Sequence, residues 1–354
     1  MVTLKKLISI ILDENSSRDS VEQALNDFTQ QCSRAGGILP DVSFSAWAGD
    51  TFLDNGVAIN PGAAAHCVKD YQRTVVFLRG IDAAIRSAIS RFPNTRIRIL
   101  YAGCGPFATL LLPLLTNFKE SAFDIQLIDI HQRSLDSAAA VARHFGLSDY
   151  HMQTTRADAS SYRHADKFHL IIAETMQKSL EQEPQYAVTA NLAPQLVAGG
   201  IFIPEKIVVE LRLAPIGLEQ VVLGSTGSPD TGVLSSRQAG QLPIASLLEL
   251  SPEMFVVSSN PDEPDKSKVS ATDHRLQFEI PASSHLDELE AFTFTRVQVF
   301  SHYWLHDNAA EITLPRRCDE LLPLVAGARF EVSYDRGSYP RFNFNPVAEQ
   351  NKVN

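Results

Sequence analysis

Apolar positions in the first ninety residues recur at three- and four-residue steps. Val21, Leu25 and Phe28 form one such stretch, and Val68, Tyr71, Val75, Leu78, Ile81, Ile85 and Ile89 form another, with the loop GGILPD at 36–41 between them. That period predicts helices with one buried face, the second being a single long helix. The first residues, MVTLKKLISIILDE, join two lysines to the apolar run LISIIL, but Asp13 and Glu14 follow where a secretory leader would carry small residues. An amphipathic first helix is therefore expected, within a helical region covering 1–92.

From Ile97 the pattern changes. Candidate strands IRILYA (97–102), DIQLIDI (124–130), YHMQTTR (150–156), FHLIIA (168–173) and GGIFIPEKIVVEL (199–211) alternate with helical stretches such as QRSLDSAAAVARHF (132–145). Strands alternating with helices predict an α/β unit over 93–213, with a parallel sheet covered on both faces. Pro113 is expected to kink the first of its helices. Beyond Leu213, the Gly/Ser/Pro-rich stretches GSTGSPDTG (224–232) and SSNPDEPDKSKVS (258–270) bracket an expected short helix at ASLLEL (245–250). Period-two runs then follow at HRLQFEI, AFTFTRVQVF, AEITL and ARFEVSY. They predict a mostly antiparallel β-rich region over 214–354.

Composition narrows the function classes. The 354 residues carry 31 basic and 41 acidic side chains, a net charge of −10, with 44% hydrophobic residues. That length buries a large core without staples. The acidic balance opposes nucleic acid as a partner, because such binding rests on Lys and Arg neutralising phosphates. No run approaches the roughly 20 apolar residues of a membrane span, so no membrane partner is expected. Cys32, Cys67, Cys104 and Cys318 lack ligand-like spacing. Neither a disulfide framework nor a metal site is expected, and a reducing cytoplasm fits best.

The sharpest chemical signal is LYAGCGPFA at 100–108, set between a strand and a helix. Gly103 and Gly105, on either side of Cys104, allow a tight turn and close approach of a ligand, and a helix N-terminus behind them would offer free N–H groups. Asp129, at the end of the next strand, suits a ribose hydroxyl. Asp158 in RADAS could accept from an adenine amino group, and Glu174 ends the fourth strand. Asp158 and Glu174 each also read as a helix cap or a solvated turn. This spacing fits NAD and S-adenosylmethionine equally.

Further residues resemble a family. Lys69-Asp70-Tyr71-Gln72-Arg73-Thr74 resembles the KDxxRT helix that precedes the glycine loop of protein arginine methyltransferases. AETMQKSLEQE at 173–183 resembles their double-glutamate loop, and LVAGGIFIP at 196–204 resembles their turn before the fifth strand. The resemblance runs from Lys69 to Val209. It implies a class I S-adenosylmethionine-dependent methyltransferase: a Rossmann-like seven-stranded sheet, a helical N-terminal cover and a C-terminal β-rich, barrel-like domain. On that mapping Arg73 grips the methionyl carboxylate of the cofactor, Asp129 holds the ribose, and Glu174 works with Glu183 or Glu181. The nine-residue step favours Glu183, whereas counting back from Gly199-Gly200 favours Glu181. His302, in a segment resembling the family's THW, would orient a glutamate. The pair His302 and His306 lacks a third ligand for a metal. The departures are Tyr101 before the glycine loop, Phe107 at its third glycine position, and Thr175 to Ser179 in place of aromatic and glycine residues.

Two carboxylates suit methyl transfer to nitrogen, because they fix the plane of a guanidinium and draw charge from the attacking atom. The expected function is S-adenosylmethionine-dependent methyl transfer to a small guanidino, amine or amino-acid-like acceptor. The alternatives are protein arginine methylation, an NAD-linked oxidoreductase on the same glycine fingerprint, and a cofactor-binding module without transfer activity. The resemblance also implies a homodimer, for which residues 235–250 would supply the arm.

Overall fold

The computed structural model describes residues 2–43, 48–215, 241–256 and 275–347. Helix α1 (Leu4–Leu12) starts on Thr3, whose hydroxyl accepts from the Lys6 N–H, and buries Leu4, Leu7, Ile8 and Ile11. Helix α2 (Arg18–Gly36) is capped by Ser17 and stops at Gly37, which is left-handed at φ 68°. Next come two three-residue strands, β1 (Thr51–Leu53) and β2 (Gly56–Ala58), paired as an antiparallel ribbon that the helical reading of 1–92 did not include. The short α3 (Pro61–His66) follows, capped by the side chain of Asn60.

The long helix α4 (Tyr71–Arg91) buries Val75, Leu78, Ile81 and Ile85 on one face, as the spacing predicts. It begins at Tyr71 rather than Val68, because the Asp70 carboxylate accepts from the Arg73 N–H and so caps the helix there.

Five parallel strands form the central sheet: β3 (Ile97–Ala102), β4 (Phe123–Asp129), β5 (His151–Arg156), β6 (Phe168–Ala173) and β7 (Leu196–Ile203), in the order β5-β4-β3-β6-β7. Helices α5 (Leu112–Leu115), α6 (Gln132–His144) and α7 (Gln185–Leu192) lie between them in sequence. Every residue of β6 is buried, as a doubly covered sheet demands. The count is five strands among the described residues, not seven. The chain leaves this sheet at Ile203, and the run 199–211 expected as one strand divides at Pro204 and Glu205 between two sheets. Pro113 does not kink a helix. It sits in the first turn of the four-residue α5, where its missing N–H is harmless.

Strand β8 (Lys206–Pro215) opens the antiparallel part, whose sheet order is β12-β11-β8-β9 with β13 on β11. Its other members are β9 (Leu242–Leu250), β11 (Leu289–Phe300), β12 (Tyr303–Leu305) and β13 (Arg316–Arg317), while β10 (Arg275–Glu279), β14 (Arg329–Asp335) and β15 (Arg341–Pro346) form a third sheet. ASLLEL is therefore strand, not helix: pairing with β8 overrides its helix-compatible composition. AEITL is a 3-10 turn at Glu311–Thr313 rather than a strand.

One continuous apolar core runs from Leu4 in α1 through the sheet to Phe344 in β15. The four cysteines are free thiols. No helix among the described residues is long and apolar enough to cross a membrane. The stretches 224–232 and 258–270, and residues 235–240 of the expected dimer arm, lie outside the described residues, while Leu242–Leu250 of that arm is β9.

Candidate functional site

Strand register assembles the site. Ala102 lies opposite Ile128 on one side and Ala173 on the other, so β3, β4 and β6 end level. The residues completing these ends, Gly103, Asp129 and Glu174, consequently share one edge of the sheet. Asp129 pairs with Arg156, which brings Asp158 to the same edge. Ligands bind at this carboxyl edge in open α/β sheets, beside the point where strand order reverses. A cleft opens there, lined by Arg73, Gly103, Cys104, Gly105, Asp129, Asp158, Glu174 and Glu183 among others.

The glycine turn is built as the sequence demands. Gly103 and Gly105 have φ of 64° and 63°, in the left-handed region. A Cβ on Gly103 would stand 2.6 Å from the Thr175 methyl. The turn is tied to β4, since the Cys104 N–H donates to the Ile128 carbonyl at 3.1 Å and the Gly105 N–H to Asp129 Oδ2 at 2.9 Å. The other Asp129 oxygen accepts from the His131 N–H at 2.8 Å. Each carboxylate oxygen retains a lone pair for a ligand. Behind the turn the chain does not enter a helix directly: turns precede α5, so the expected row of free helix N–H groups is absent. Asp158 lines the cleft with its Oδ1 accepting from the Ser160 N–H at 2.8 Å.

Arg73 and Glu174 are brought together as an ion pair, with side chains only 12% and 4% exposed. Burial opposes the charge on Arg73, but Glu174 beside it, with Cys67 and Asp70 nearby, holds its proton more tightly than usual. Glu174 uses Oε2 for this pair, while its buried Oε1 has no hydrogen-bond partner. A buried carboxylate oxygen left unsatisfied is costly and marks a place where a donor belongs.

Glu183 lines the same cleft and is buried. Burial first, and the negative charge of Glu174 second, push its carboxyl up to about 8, with Arg73 and Gln177 offsetting only part. Glu181 turns away. It pairs with Arg316 at 2.9 Å and does not line the cleft. Geometry thus divides the two glutamates that the sequence left as alternatives. His302 departs from the expectation, being exposed at the turn between β11 and β12, its ring tilted at 35° against Tyr303, and outside the cleft. That hairpin packs against α4 around Gly80, about two helical turns beyond Arg73.

Sequence reasoning missed the β1–β2 ribbon and His131. Leu53 and Ala58 of the ribbon line the cleft together with His131. Ala58 ends β2, and the Val57 N–H donates to the Gln182 carbonyl at 2.7 Å. The ribbon had a signal, because Asp54-Asn55-Gly56 between two short apolar runs is hairpin chemistry.

Four carboxyl side chains and one guanidinium face the cleft, so it favours a cationic or zwitterionic ligand over a polyanion. The residues present fit S-adenosylmethionine: Asp129 for vicinal hydroxyls, Asp158 for an amino group, Arg73 for a carboxylate, and the orphaned Glu174 oxygen for a cationic donor. Among the described residues, no three His, Cys, Asp or Glu side chains are grouped to hold a metal.

No protein-family model and no curated protein matches the chain. Among solved structures it is similar to the Trypanosoma brucei PRMT1 enzyme–prozyme heterotetrameric complex with AdoHcy. The match has 12% sequence identity, covers 81% of this chain and 98% of that one, and has a TM-score of 0.46.

Proposed function

We propose that this chain is an S-adenosylmethionine-dependent methyltransferase that transfers the methyl group to a nitrogen of a cationic guanidino or amino acceptor held by Glu174 and Glu183. The carrying observation is the pair of buried carboxyl groups lining the glycine-turn cleft, one with an unsatisfied oxygen and the other pushed up to about 8 by its burial and by the neighbouring Glu174. The sequence resemblance over Lys69 to Val209 supports the same reading.

S-adenosylmethionine would supply a methyl group activated on a sulfonium. The work left to the protein is positioning and electrostatics. On this reading Arg73 takes the carboxylate of the cofactor and Asp129 its ribose hydroxyls. Glu174 offers Oε1 and Glu183 its carboxyl to the N–H groups of the acceptor, fixing its plane. As the acceptor cation enters, Glu183 releases its proton to the solvent, and the two carboxylates then draw positive charge away from the attacking nitrogen. His302 has no part in this arrangement.

Strand order does not separate this reading from a dinucleotide enzyme, since β5-β4-β3-β6-β7 is shared with NAD-binding sheets. The glycine turn favours the methyl donor. A pyrophosphate needs the N–H groups of a helix starting at the turn, and here turns intervene and acids predominate. A module that binds cofactor without transferring would not need a second buried carboxyl facing Glu174.

The acceptor is read as a small molecule. A protein arginine presents the same planar fork and is the alternative the assay must separate. A cytoplasmic location, a homodimer and the division of the chain at 92 and 213 are part of the same proposal. The test is calorimetry with S-adenosylhomocysteine and with NAD, followed by transfer of labelled methyl to a panel of free arginine, guanidino acids, amines and arginine peptides. Binding of S-adenosylhomocysteine alone and label on a cationic nitrogen are expected. Binding of NAD without S-adenosylhomocysteine, or label confined to acceptors without a cationic group, overturns the reading.

A further inference from the structure

His131 stands between two parts of the cleft, Asp129 and the β1–β2 ribbon. It follows Asp129 by two residues, at the start of α6, and its side chain is 17% exposed. Its backbone N–H donates to Asp129 Oδ1 at 2.8 Å, and its ring Nδ1 lies 3.5 Å from the same oxygen. That second distance is an electrostatic contact more than a hydrogen bond. On the opposite edge of the ring, Nε2 lies 3.0 Å from Thr51 Oγ1 in the β1–β2 ribbon. The ribbon is also fastened elsewhere, by Asn55 Nδ2 to Ser160 Oγ at 3.3 Å and by Val57 N–H to Gln182 O. The Thr51 bond is the one that runs to the ribose-side carboxylate.

We propose that His131 is a positioning residue of the cofactor cleft: one edge of its ring steadies the Asp129 carboxylate against the glycine turn, and the other latches the β1–β2 ribbon beside it through Thr51. The proposal rests on the cofactor reading above. A carboxylate only accepts, so in the neutral imidazole the proton belongs on Nδ1, and Nε2 then accepts from the Thr51 hydroxyl. An imidazole has the two oppositely directed nitrogens that this bridge requires, and Asn or Gln reproduces one arm each. His131→Asn keeps a donor near the place of Nδ1 and loses the reach to Thr51. His131→Gln keeps the reach and loses the donor.

The full chain carrying each change separates the two arms. Calorimetry is run with S-adenosylhomocysteine and with its 2′,3′-dideoxyribose analogue, and hydrogen exchange of amides 51–58 is followed without ligand. For His131→Gln, binding of S-adenosylhomocysteine should weaken about tenfold, the usual worth of one polar contact. Binding of the dideoxy analogue should stay at the wild-type level, because the loss passes through Asp129 to the ribose hydroxyls. Its ribbon exchange should also stay as in the wild type. For His131→Asn and Thr51→Val, ribbon exchange should quicken about tenfold while S-adenosylhomocysteine binds within roughly threefold of wild type. Equal behaviour of the Asn and Gln variants in both readouts overturns the proposal. So does an equal loss of both ligands by His131→Gln, which would make His131 a direct ligand contact. Failure of the wild-type chain to bind either ligand overturns the cofactor reading. The exchange arm then decides the latch alone, with unchanged exchange in His131→Asn and Thr51→Val refuting it.

Discussion

The Tyr334 hydroxyl donates a 2.6 Å hydrogen bond to the Leu180 carbonyl, joining the third sheet to the loop that presents Glu183. That loop is strained, with Ser179, Leu180 and Gln182 at φ of 61°, 54° and 66°. A non-glycine residue held there costs about 1–3 kcal/mol and persists only where its surroundings over-determine it. The surroundings are explicit. Ser179 Oγ lies 2.6 Å from Thr293 Oγ1, the Ser179 N–H donates to Thr295 Oγ1 at 2.8 Å, and the Gln182 N–H donates to the Pro340 carbonyl at 2.9 Å. The antiparallel sheets therefore act on the site by holding this loop.

Removing single ties should show that dependence in turnover. Tyr334→Phe and Thr295→Val each delete about 1 kcal/mol of loop restraint. We expect kcat to fall roughly five- to tenfold in each while cofactor affinity stays within about twofold, since Asp129 and Arg73 are untouched. Steady-state kinetics beside calorimetry checks the split. Unchanged kcat in both variants would show that the loop holds its shape unaided.

The ribbon also bears on the same loop. Gly56, at φ 145°, is packed so closely that a Cβ would stand 2.7 Å from the Pro184 nitrogen and 2.9 Å from the Gln182 oxygen. Both contacts are backbone, which cannot swing away. Gly56→Ala should displace the Glu183 loop, lower activity at least tenfold and reduce stability by about 1–3 kcal/mol. Thermal melting and label transfer would measure these, whereas Gly146→Ala, left-handed but with nothing near its Cβ, should affect melting alone.

The sequence pattern made β3, β4 and β6 legible because buried strands are runs of apolar residues, and the glycine turn and Asp129 legible because their chemistry is local. Register then places Glu174 without further information. Glu183 could not be told from Glu181 by counting, since the difference lies in Arg316, which reaches Glu181 from a distant strand. Arg73 was expected to meet a cofactor carboxylate, and what pattern could not show is that Glu174, 101 residues later, meets it within the chain itself. His302 was misplaced because short motif likeness ignores which hairpin carries it. The ribbon escaped because three-residue strands are too short to display a period, leaving only its turn residues as a signal.

Glu183 makes stability depend on pH. Its carboxyl is held at about 8 in the folded chain against an ordinary 4.5, so between those values the folded state binds the extra proton. Stability from this group is full below about pH 4.5 and is lost as pH rises towards 8. Glu183→Gln should remove the loss, and so be more stable than wild type at pH 8 by on the order of a few kcal/mol, with the advantage shrinking towards pH 5. Denaturant melts across pH 5–9 test this. Acceptor binding at pH 7 should release a proton from the wild type and none from Glu183→Gln, seen as buffer-dependent calorimetric enthalpy in the wild type alone.

Arg73 and Glu174 decide whether the cleft trades one carboxylate for another. Both side chains are almost fully buried, and removing one charge of such a pair typically costs about 3–5 kcal/mol because the other is left uncompensated. Glu174→Gln should therefore lower stability by that order without ligand. If Arg73 is the residue that takes the carboxylate of the cofactor, S-adenosylhomocysteine supplies the missing negative charge, and its saturating presence should raise the melting temperature of Glu174→Gln more than that of the wild type. The adenosine fragment, which carries no carboxylate, should raise both equally. Turnover should fall at least a hundredfold, because the oxygen that orients the acceptor is gone. Arg73→Lys should lose the extra stabilisation by S-adenosylhomocysteine despite keeping its charge, since a point charge cannot grip a carboxylate at two places. Equal shifts of wild type and Glu174→Gln with both ligands would show that Arg73 serves only Glu174, and that the carboxylate of the cofactor is bound by another group.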